Sequence, residues 1–195
     1  MTYTLRSSIL AGICIGIAGF GYLASPNIIG AVLFAFGLLA VVHFSYKLYT
    51  GTAGFIKDKN ELLQLLLILA GNLVGCFIVA MMTYASPMSL QAAAQAILTA
   101  RLNTGAFQCG VLAVGCGFIM TTAVNFGRQN RFLPLLFGVP LFIMCGFPHC
   151  IADAFYYMSV PSGFLYANML DIIGLYVSIV IGNFIGCNLY RIILK

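Results

Sequence analysis

His149 stands in a setting whose residue types and spacing suggest proton chemistry. It is one of two histidines among 195 residues, and it follows Pro148 inside the apolar run 132–157. Proline has no N–H and clashes with the preceding turn, so a helix should break here. Lipid cannot satisfy the backbone groups that a break exposes, and such breaks are tolerated only where protein buries them or where they line a wet cavity. We therefore expect His149 to line a path through the molecule.

The nearest acidic residue, Asp153, adds to this chemistry. Imidazole has an ordinary pKa of about 6.5, so modest changes in its surroundings alter its charge near neutral pH. Asp153 lies four residues after His149, which on a continuous helix would put both on one face. A carboxylate inside a membrane span is a functional candidate by default. Two interpretations of Asp153 stay open: it pairs with His149, or it is protonated and structural. His43 has no proline beside it, and we expect it to be structural.

The composition is that of an integral membrane protein. Apolar residues make up 62% of the chain and charged residues 7%, with a mean hydropathy of +1.06, whereas soluble domains carry roughly 25% charged residues. The first apolar segment is long enough to span, so we expect a retained helix rather than a cleaved signal. The net charge of +5 comes from scattered lysines and arginines, not from a basic run. The expected partner is therefore a lipid bilayer and not nucleic acid.

The seven cysteines all lie in apolar segments, and no CxxC pair occurs. Small buried thiols of this kind fit helix contacts. A membrane redox enzyme would need paired histidines or clustered cysteines. We therefore expect a protein that binds no metal and no cofactor and that is not an enzyme.

Apolar segments set the architecture that positions His149. A helix needs about 20 residues to cross roughly 30 Å of hydrocarbon. Six segments are long enough, over residues 7–24, 29–56, 62–84, 105–125, 132–157 and 169–190. The link before the fourth segment contains an Ala-rich stretch, 91–100, that predicts a short interfacial helix.

The second segment resembles the fifth in being interrupted. It is longer than one span needs, it contains Lys47, and residues 48–54 hold two glycines and two threonines, a composition that favours an unwound piece. Breaks at corresponding places suggest two halves, roughly 1–84 and 85–195, within a single transmembrane domain covering 1–195.

A repeated GNxxG motif marks the third span of each half. Its asparagines, Asn72 and Asn183, are buried amides that need partners, and its glycines permit close helix contact. Three spans per half is an odd number, so the halves must be inverted in the membrane. The predicted fold class is an all-α membrane protein with six spans in a 3+3 inverted repeat, whose broken second and fifth helices mark a central pathway.

The basic residues predict the orientation, because cytoplasmic loops carry more lysine and arginine. With the N-terminus inside, only Arg101 is external. Both termini are then cytoplasmic in a multi-pass protein of the cell (inner) membrane. The residues placed on the cytoplasmic side are Arg6, Lys57, Lys59, Arg128, Arg131, Arg191 and Lys195.

Together these motifs resemble the formate/nitrite transporters, a family of pentameric anion channels with an aquaporin-like protomer. Phe34 and Leu38 precede the loop 48–51, and Phe142 stands seven residues before His149, in the family's pattern. Both GNxxG motifs match as well. The sequence departs from the family at Pro148, Asp153 and Val114, which replace a Glu, an Asn and an Asn, and Arg101 is close enough to substitute for a family lysine.

The resemblance implies roles for individual residues. His149 would relay protons, and Thr50 would offer a hydroxyl at the facing loop. The apolar constrictions on either side of His149 would be formed by Phe34, Leu38, Leu48, Tyr49 and Phe142. Apart from the resemblance, we expect Arg101 to attract anions at a mouth of the path and Asp153, where the sequence departs from the family, to tune His149. Two interpretations of Lys47 stay open: it attracts anions at a mouth, or it reaches to the membrane interface.

The implied function is proton-linked passage of small monovalent anions, formate or nitrite, through a homopentamer. A charged carboxylate costs far more to bury than its neutral acid, so protonation inside the pore lowers the barrier. Hydrosulfide, acetate and lactate are alternatives within the same fold. A neutral-solute, aquaporin-like channel is a further alternative, which the lack of paired NPA motifs weakens.

Overall fold

The computed structural model describes residues 2–194, and these fold into eleven helices with no strand among them. Lys195, which the charge pattern places on the cytoplasmic side, lies outside the described residues. The helices are α1 (Thr2–Ala24), α2 (Ile28–His43), α3 (Tyr49–Ala53), α4 (Lys59–Thr83), α5 (Leu90–Thr104), α6 (Ala106–Arg128), α7 (Leu133–Met144), α8 (Cys150–Met158), α9 (Ser162–Ala167), α10 (Met169–Cys187) and α11 (Leu189–Ile193).

The helices form six spans, as the hydropathy pattern predicted, four of them continuous and two of them broken. Helices α1, α4, α6 and α10 are each long and apolar enough to cross a membrane. The second span consists of α2 and α3, and the fifth consists of α7 and α8. The predicted short helix at 91–100 is part of α5.

Polar residues in the links start two of these helices. Asn27 Oδ1 accepts a hydrogen bond from the Ile29 N–H at 2.8 Å, and Asp58 Oδ1 accepts one from the Glu61 N–H at 2.9 Å. Side chains at this position satisfy N–H groups that have no partner within the helix. The polar links therefore fix where α2 and α4 begin.

The break in the second span lies earlier than the sequence suggested. We expected residues 48–54 to be unwound, but 49–53 form α3, and the unwound residues are 44–48. Ser45 causes the break, since its φ of 56° ends α2 in the left-handed region, and the Tyr46 N–H bonds back to the Val41 carbonyl at 2.9 Å.

The fifth span breaks at the predicted place and in the same manner. Gly146 has a φ of 68°, and the Phe147 N–H bonds to the Phe142 carbonyl at 2.9 Å. Pro148 follows, and α8 begins after His149. The two linkers, 44–48 and 145–149, thus repeat one backbone conformation.

Packing of the helices shows the inverted relation of the two halves. In the first half α1 packs on α4, and in the second α6 packs on α10. Each half-helix lies against the long helices of the other half: α3 contacts α6 and α10, whereas α8 contacts α1 and α4. This exchange confirms the predicted 3+3 inverted repeat with broken second and fifth spans.

Two glycines let the long helices approach closely at equivalent points. A Cβ on Gly12 would collide with the Asn72 carbonyl, and one on Gly117 with the Asn183 carbonyl. Small residues at such crossings bring helix backbones together in membranes. The core therefore includes the contact of α1 with α4 at Gly12, the contact of α6 with α10 at Gly117, and the half-helices α3 and α8.

Candidate functional site

Asn72 holds the first half-helix in place. Its amide group donates to the Ser8 carbonyl at 2.8 Å and to the Lys47 carbonyl at 2.9 Å, and its Oδ1 accepts from the Tyr49 N–H at 2.9 Å. One side chain of α4 therefore joins α1 to the linker and to the start of α3.

Asn183 makes the same three contacts in the second half. Its amide group donates to the Ala113 carbonyl at 2.8 Å and to the Pro148 carbonyl at 2.9 Å, and its Oδ1 accepts from the Cys150 N–H at 2.8 Å. Both asparagines are fully buried. Leu48 and His149 consequently occupy equivalent positions, each immediately before a half-helix.

His149 contacts Thr50 across the boundary between the halves. Its Nε2 lies 2.8 Å from Thr50 Oγ1, and both residues are buried. Its Nδ1 accepts the Ala152 N–H at 3.2 Å, which makes His149 the N-cap of α8. A backbone N–H can only donate, so Nδ1 is the unprotonated nitrogen and Nε2 bears the ring proton. His149 therefore donates to Thr50, whose own hydroxyl proton is left for another acceptor.

Apolar side chains surround this contact. The Phe142 ring stacks on the His149 ring with centroids 5.7 Å apart, and the Phe34 ring meets Phe142 edge-on at 6.3 Å. Leu38 and Leu48 belong to the same core and are each 1% exposed.

Tyr49 is directed elsewhere. Its hydroxyl donates to the Val180 carbonyl of α10 at 3.3 Å. Adjacent residues at a helix start point in different directions, which separates Tyr49 from Leu48 and Thr50. The place of Tyr49 in a constriction stays a prediction.

One cavity includes His149, and a second reaches Gly51 and Thr52, next to Thr50. The first, here the Arg101 cavity, has a volume of about 190 Å³. The second, here the Lys47 cavity, has a volume of about 260 Å³. The polar and aromatic residues that line the Arg101 cavity are Tyr22, Arg101, Phe142, Phe147, His149, Asp153 and Tyr156. The Lys47 cavity is lined by Val41, Val42, Ser45, Tyr46, Lys47, Gly51, Thr52, Val124 and Arg128.

Arg101, rather than His149, is the charged partner of Asp153. Arg101 Nε lies 3.5 Å from Asp153 Oδ1, and Arg101 Nη1 donates to the Gly146 carbonyl at 2.5 Å. Pairing with His149 is one of the two interpretations of Asp153 that the sequence left open, and the structure places Arg101 at the carboxylate instead, because His149 precedes the helix with extended backbone angles, φ −114° and ψ 112°. A spacing of four residues does not put two side chains on one face there.

Several lining residues gave no signal in the sequence. Tyr22 and Tyr156 lie within apolar helices and look like packing residues until the cavity brings them beside Arg101. Arg128 looked like an ordinary loop cation, but it donates to the Gly51 carbonyl at 3.1 Å and lies 3.7 Å above the Phe55 ring. Lys47 belongs to the unwound linker, and His43 lines neither cavity.

Known proteins share this sequence pattern and this fold. The family model described as formate/nitrite transporter matches residues 1–194. The formate channel FocA of Haemophilus influenzae is 22% identical over an alignment of 195 residues, gaps included. The alignment covers 85% of this chain and 68% of that protein.

Solved structures agree on the fold. A pentameric formate channel with formate bound has a TM-score of 0.83 at 22% identity, covering 100% of this chain and 98% of that one. An FNT family ion channel has a TM-score of 0.76 at 20% identity, with coverage of 97% and 87%. The family match over residues 1–194 makes this a membrane transport protein rather than an enzyme. The chain belongs to the formate/nitrite transporter family, as its motifs predicted.

Proposed function

We propose that this protein is a channel for small monovalent anions of weak acids, formate or nitrite, and that passage is linked to protonation at His149. The observation that carries the proposal is the buried 2.8 Å contact between His149 Nε2 and Thr50 Oγ1, with the Arg101 cavity at His149 and the Lys47 cavity at Gly51 and Thr52, next to Thr50. The relatives described as formate channels support the choice of anion.

Burial explains why protonation and passage are linked. An unpaired ion costs far more to bury than a neutral polar molecule, which loses only a few kcal/mol. The collars on the path are Phe34, Leu38, Leu48 and Phe142, all at most 3% exposed. An anion that takes up a proton beside His149 crosses them as the neutral acid, and the free Thr50 hydroxyl donates a hydrogen bond to it.

Cations at both ends would raise the local concentration of anions. Arg101 serves one cavity, and Lys47 with Arg128 serves the other. With the termini in the cytoplasm, the Arg101 cavity faces outward and the Lys47 cavity faces the cytoplasm of the cell. This assignment follows from the distribution of basic residues in the loops.

Large apolar side chains on the outside of the protomer need lipid or other subunits. Phe36, Phe107, Phe137 and Leu170 are each more than 60% exposed. We assign these faces to the bilayer and to a homopentamer, which the solved pentameric formate channel of the same fold supports. Each protomer is then one channel domain over 1–195, with halves 1–84 and 85–195.

Uptake by proteoliposomes tests this proposal. Formate, nitrite, hydrosulfide, acetate and lactate are offered singly between about pH 5 and pH 8, around the ordinary pKa of histidine. We expect formate or nitrite to pass fastest and His149→Ala to alter both rate and pH profile. Rates equal to those of empty vesicles at every pH would refute the channel. Unchanged uptake in His149→Ala would remove the role of His149 alone.

A further inference from the structure

Asp153 is buried within a membrane span, in α8. The sequence has four acidic residues, and Asp58, Glu61 and Asp171 lie at the starts of α4 and α10. Asp153 is 1% exposed, and its carboxylate makes no hydrogen bond of normal geometry within residues 2–194; its polar neighbours are the Arg101 guanidinium and the His149 backbone N–H. A buried carboxylate without partners is costly unless a proton or a counter-ion neutralises it.

Arg101 supplies that counter-ion incompletely. Its Nε is 3.5 Å from Asp153 Oδ1, but the pair lacks hydrogen-bond geometry, and Arg101 Nη1 is used by the Gly146 carbonyl. Arg101 is 18% exposed and lines the same cavity as Asp153. A second anion in this cavity can therefore reach the guanidinium that Asp153 only partly occupies.

From this geometry we infer that Asp153 gives the proton to the entering anion and that Arg101 holds the anion during the transfer. The inference rests on the proposed channel function and names the proton donor within it. It makes Asp153 the source of the proton that the anion takes up beside His149, and both residues line the Arg101 cavity.

Charge balance favours this arrangement. With Asp153 ionised and Arg101 cationic, the buried pair has no net charge. When one anion and one proton enter together, the anion binds Arg101 and the proton binds Asp153, and the sum is again zero. The Asp153 O–H bond then breaks as the O–H bond of the acid forms, so the negative charge returns to Asp153. Water at the cavity mouth supplies the next proton, and no state leaves an uncompensated buried charge.

The chemistry of the two candidate donors also differs. A carboxylic acid and a formate ion compete for a proton on similar terms, because aspartic acid has an ordinary pKa of about 3.9. The neutral His149 ring has its Nδ1 occupied by the Ala152 N–H and its Nε2 proton donated to Thr50. Protonating Nδ1 would place two N–H groups against each other at the start of α8. His149 thus orients the anion through Thr50 at the place where the anion is protonated, and Asp153 supplies the proton there.

No other group around Asp153 competes for this role near neutral pH. The titratable residues on the neighbouring helices are Tyr22 of α1, Cys76 of α4, Arg101 of α5, Cys109 and Cys116 of α6 and Tyr176 of α10. On α8 itself they are His149, Cys150, Tyr156 and Tyr157. Thiols and phenols have ordinary pKa values of about 8.5 and 10, and arginine stays charged. The free nitrogen of His149 is occupied by the Ala152 N–H, so a proton that arrives with an anion goes to Asp153.

Asp153→Asn tests the inference in proteoliposomes that contain a pH-sensitive dye. For the unaltered protein we expect formate uptake to rise as the external pH falls and to acidify the interior, with little effect of an imposed membrane potential. Asp153→Asn should lower uptake near pH 5.5 by about 10-fold or more, comparable to the loss of one general acid, and flatten the pH profile. Asp171→Asn is the matched control, since Asp171 is exposed at the start of α10.

The outcomes separate the two proposals. If the unaltered protein passes no anion, the channel function fails. If it passes formate with protons and Asp153→Asn does so equally, with the same pH profile, only the inference about Asp153 fails.

A measurement on the unaltered protein covers the case in which Asp153→Asn does not fold. Carbon-13 formate is added near pH 6, and the infrared difference spectrum is recorded. We expect a carboxylic-acid C=O band at the carbon-12 position, from Asp153, because the isotope moves the bands of the probe itself. The same band should persist in Asp171→Asn. Absence of any carbon-12 acid band on adding formate would overturn the inference.

Discussion

His149 Nε2 and Thr50 Oγ1 lie 2.8 Å apart and belong to half-helices of opposite halves of the chain. His149 immediately precedes α8, and Thr50 is the second residue of α3. The contact therefore forms only when both half-helices reach the centre of the molecule, where the halves meet.

Replacing Thr50 with valine should slow anion uptake. The change keeps the shape of the side chain but leaves His149 Nε2–H without an acceptor and removes the hydroxyl that faces the path. An unsatisfied buried donor costs about 1–3 kcal/mol, so we expect a loss of about 5- to 100-fold in formate uptake. Thr104→Val is the control, because the Thr104 hydroxyl bonds to the Ala100 carbonyl of its own helix. Equal uptake by both variants would contradict the role of Thr50.

The ring nitrogens of His149 can be distinguished by nitrogen-15 NMR of the labelled protein in lipid. At about pH 7.5 the His149 ring should show an unprotonated Nδ1 and a protonated Nε2, because Nδ1 accepts the Ala152 N–H. The protein has two histidines, so His149→Gln removes the pair of nitrogen signals from one ring and assigns the remaining pair to His43. A protonated Nδ1 in His149 would mean that the helix cap is not formed.

Asn72→Ala and Asn183→Ala should each destabilise the protein. Each variant leaves one linker carbonyl, that of Lys47 or Pro148, and one half-helix N–H, that of Tyr49 or Cys150, without a partner, and the burial of such groups costs about 1–3 kcal/mol apiece. We expect a clear fall in the thermal unfolding midpoint in detergent for both. Asn103→Ala, at an exposed position on α5, should leave the midpoint unchanged. A lower unfolding midpoint in only one of the two variants would contradict equal stabilising roles for Asn72 and Asn183.

Phe142→Ala should widen the collar beside His149. Removing the ring that stacks on His149 should raise lactate uptake relative to formate, because the larger anion gains most from the added width. Loss of a buried phenylalanine also costs about 3–5 kcal/mol, so folded protein is selected by gel filtration before the assay. Phe137→Ala on the same helix is the control, since Phe137 is 70% exposed. An unchanged ratio of lactate to formate would remove Phe142 from the selectivity of the path.

The local sequence was sufficient for the class of protein, the six spans and the break before α8. Hydropathy depends on composition along a segment, and Pro148 interrupts a helix wherever it stands. The GNxxG motifs likewise marked Asn72 and Asn183 before their partners were known, because a buried amide must be satisfied.

Only the tertiary structure decided which groups meet. Thr50 and His149 are 99 positions apart, and no local pattern encodes their contact. Arg101 lies against Asp153, whereas one of the two interpretations from the sequence paired Asp153 with His149. That pairing and the error at residues 48–54 have the same origin: side-chain direction at the end of a helix depends on one or two backbone angles, here those of Ser45 and His149. Sequence periodicity describes the interior of a helix, and this site is built from helix ends.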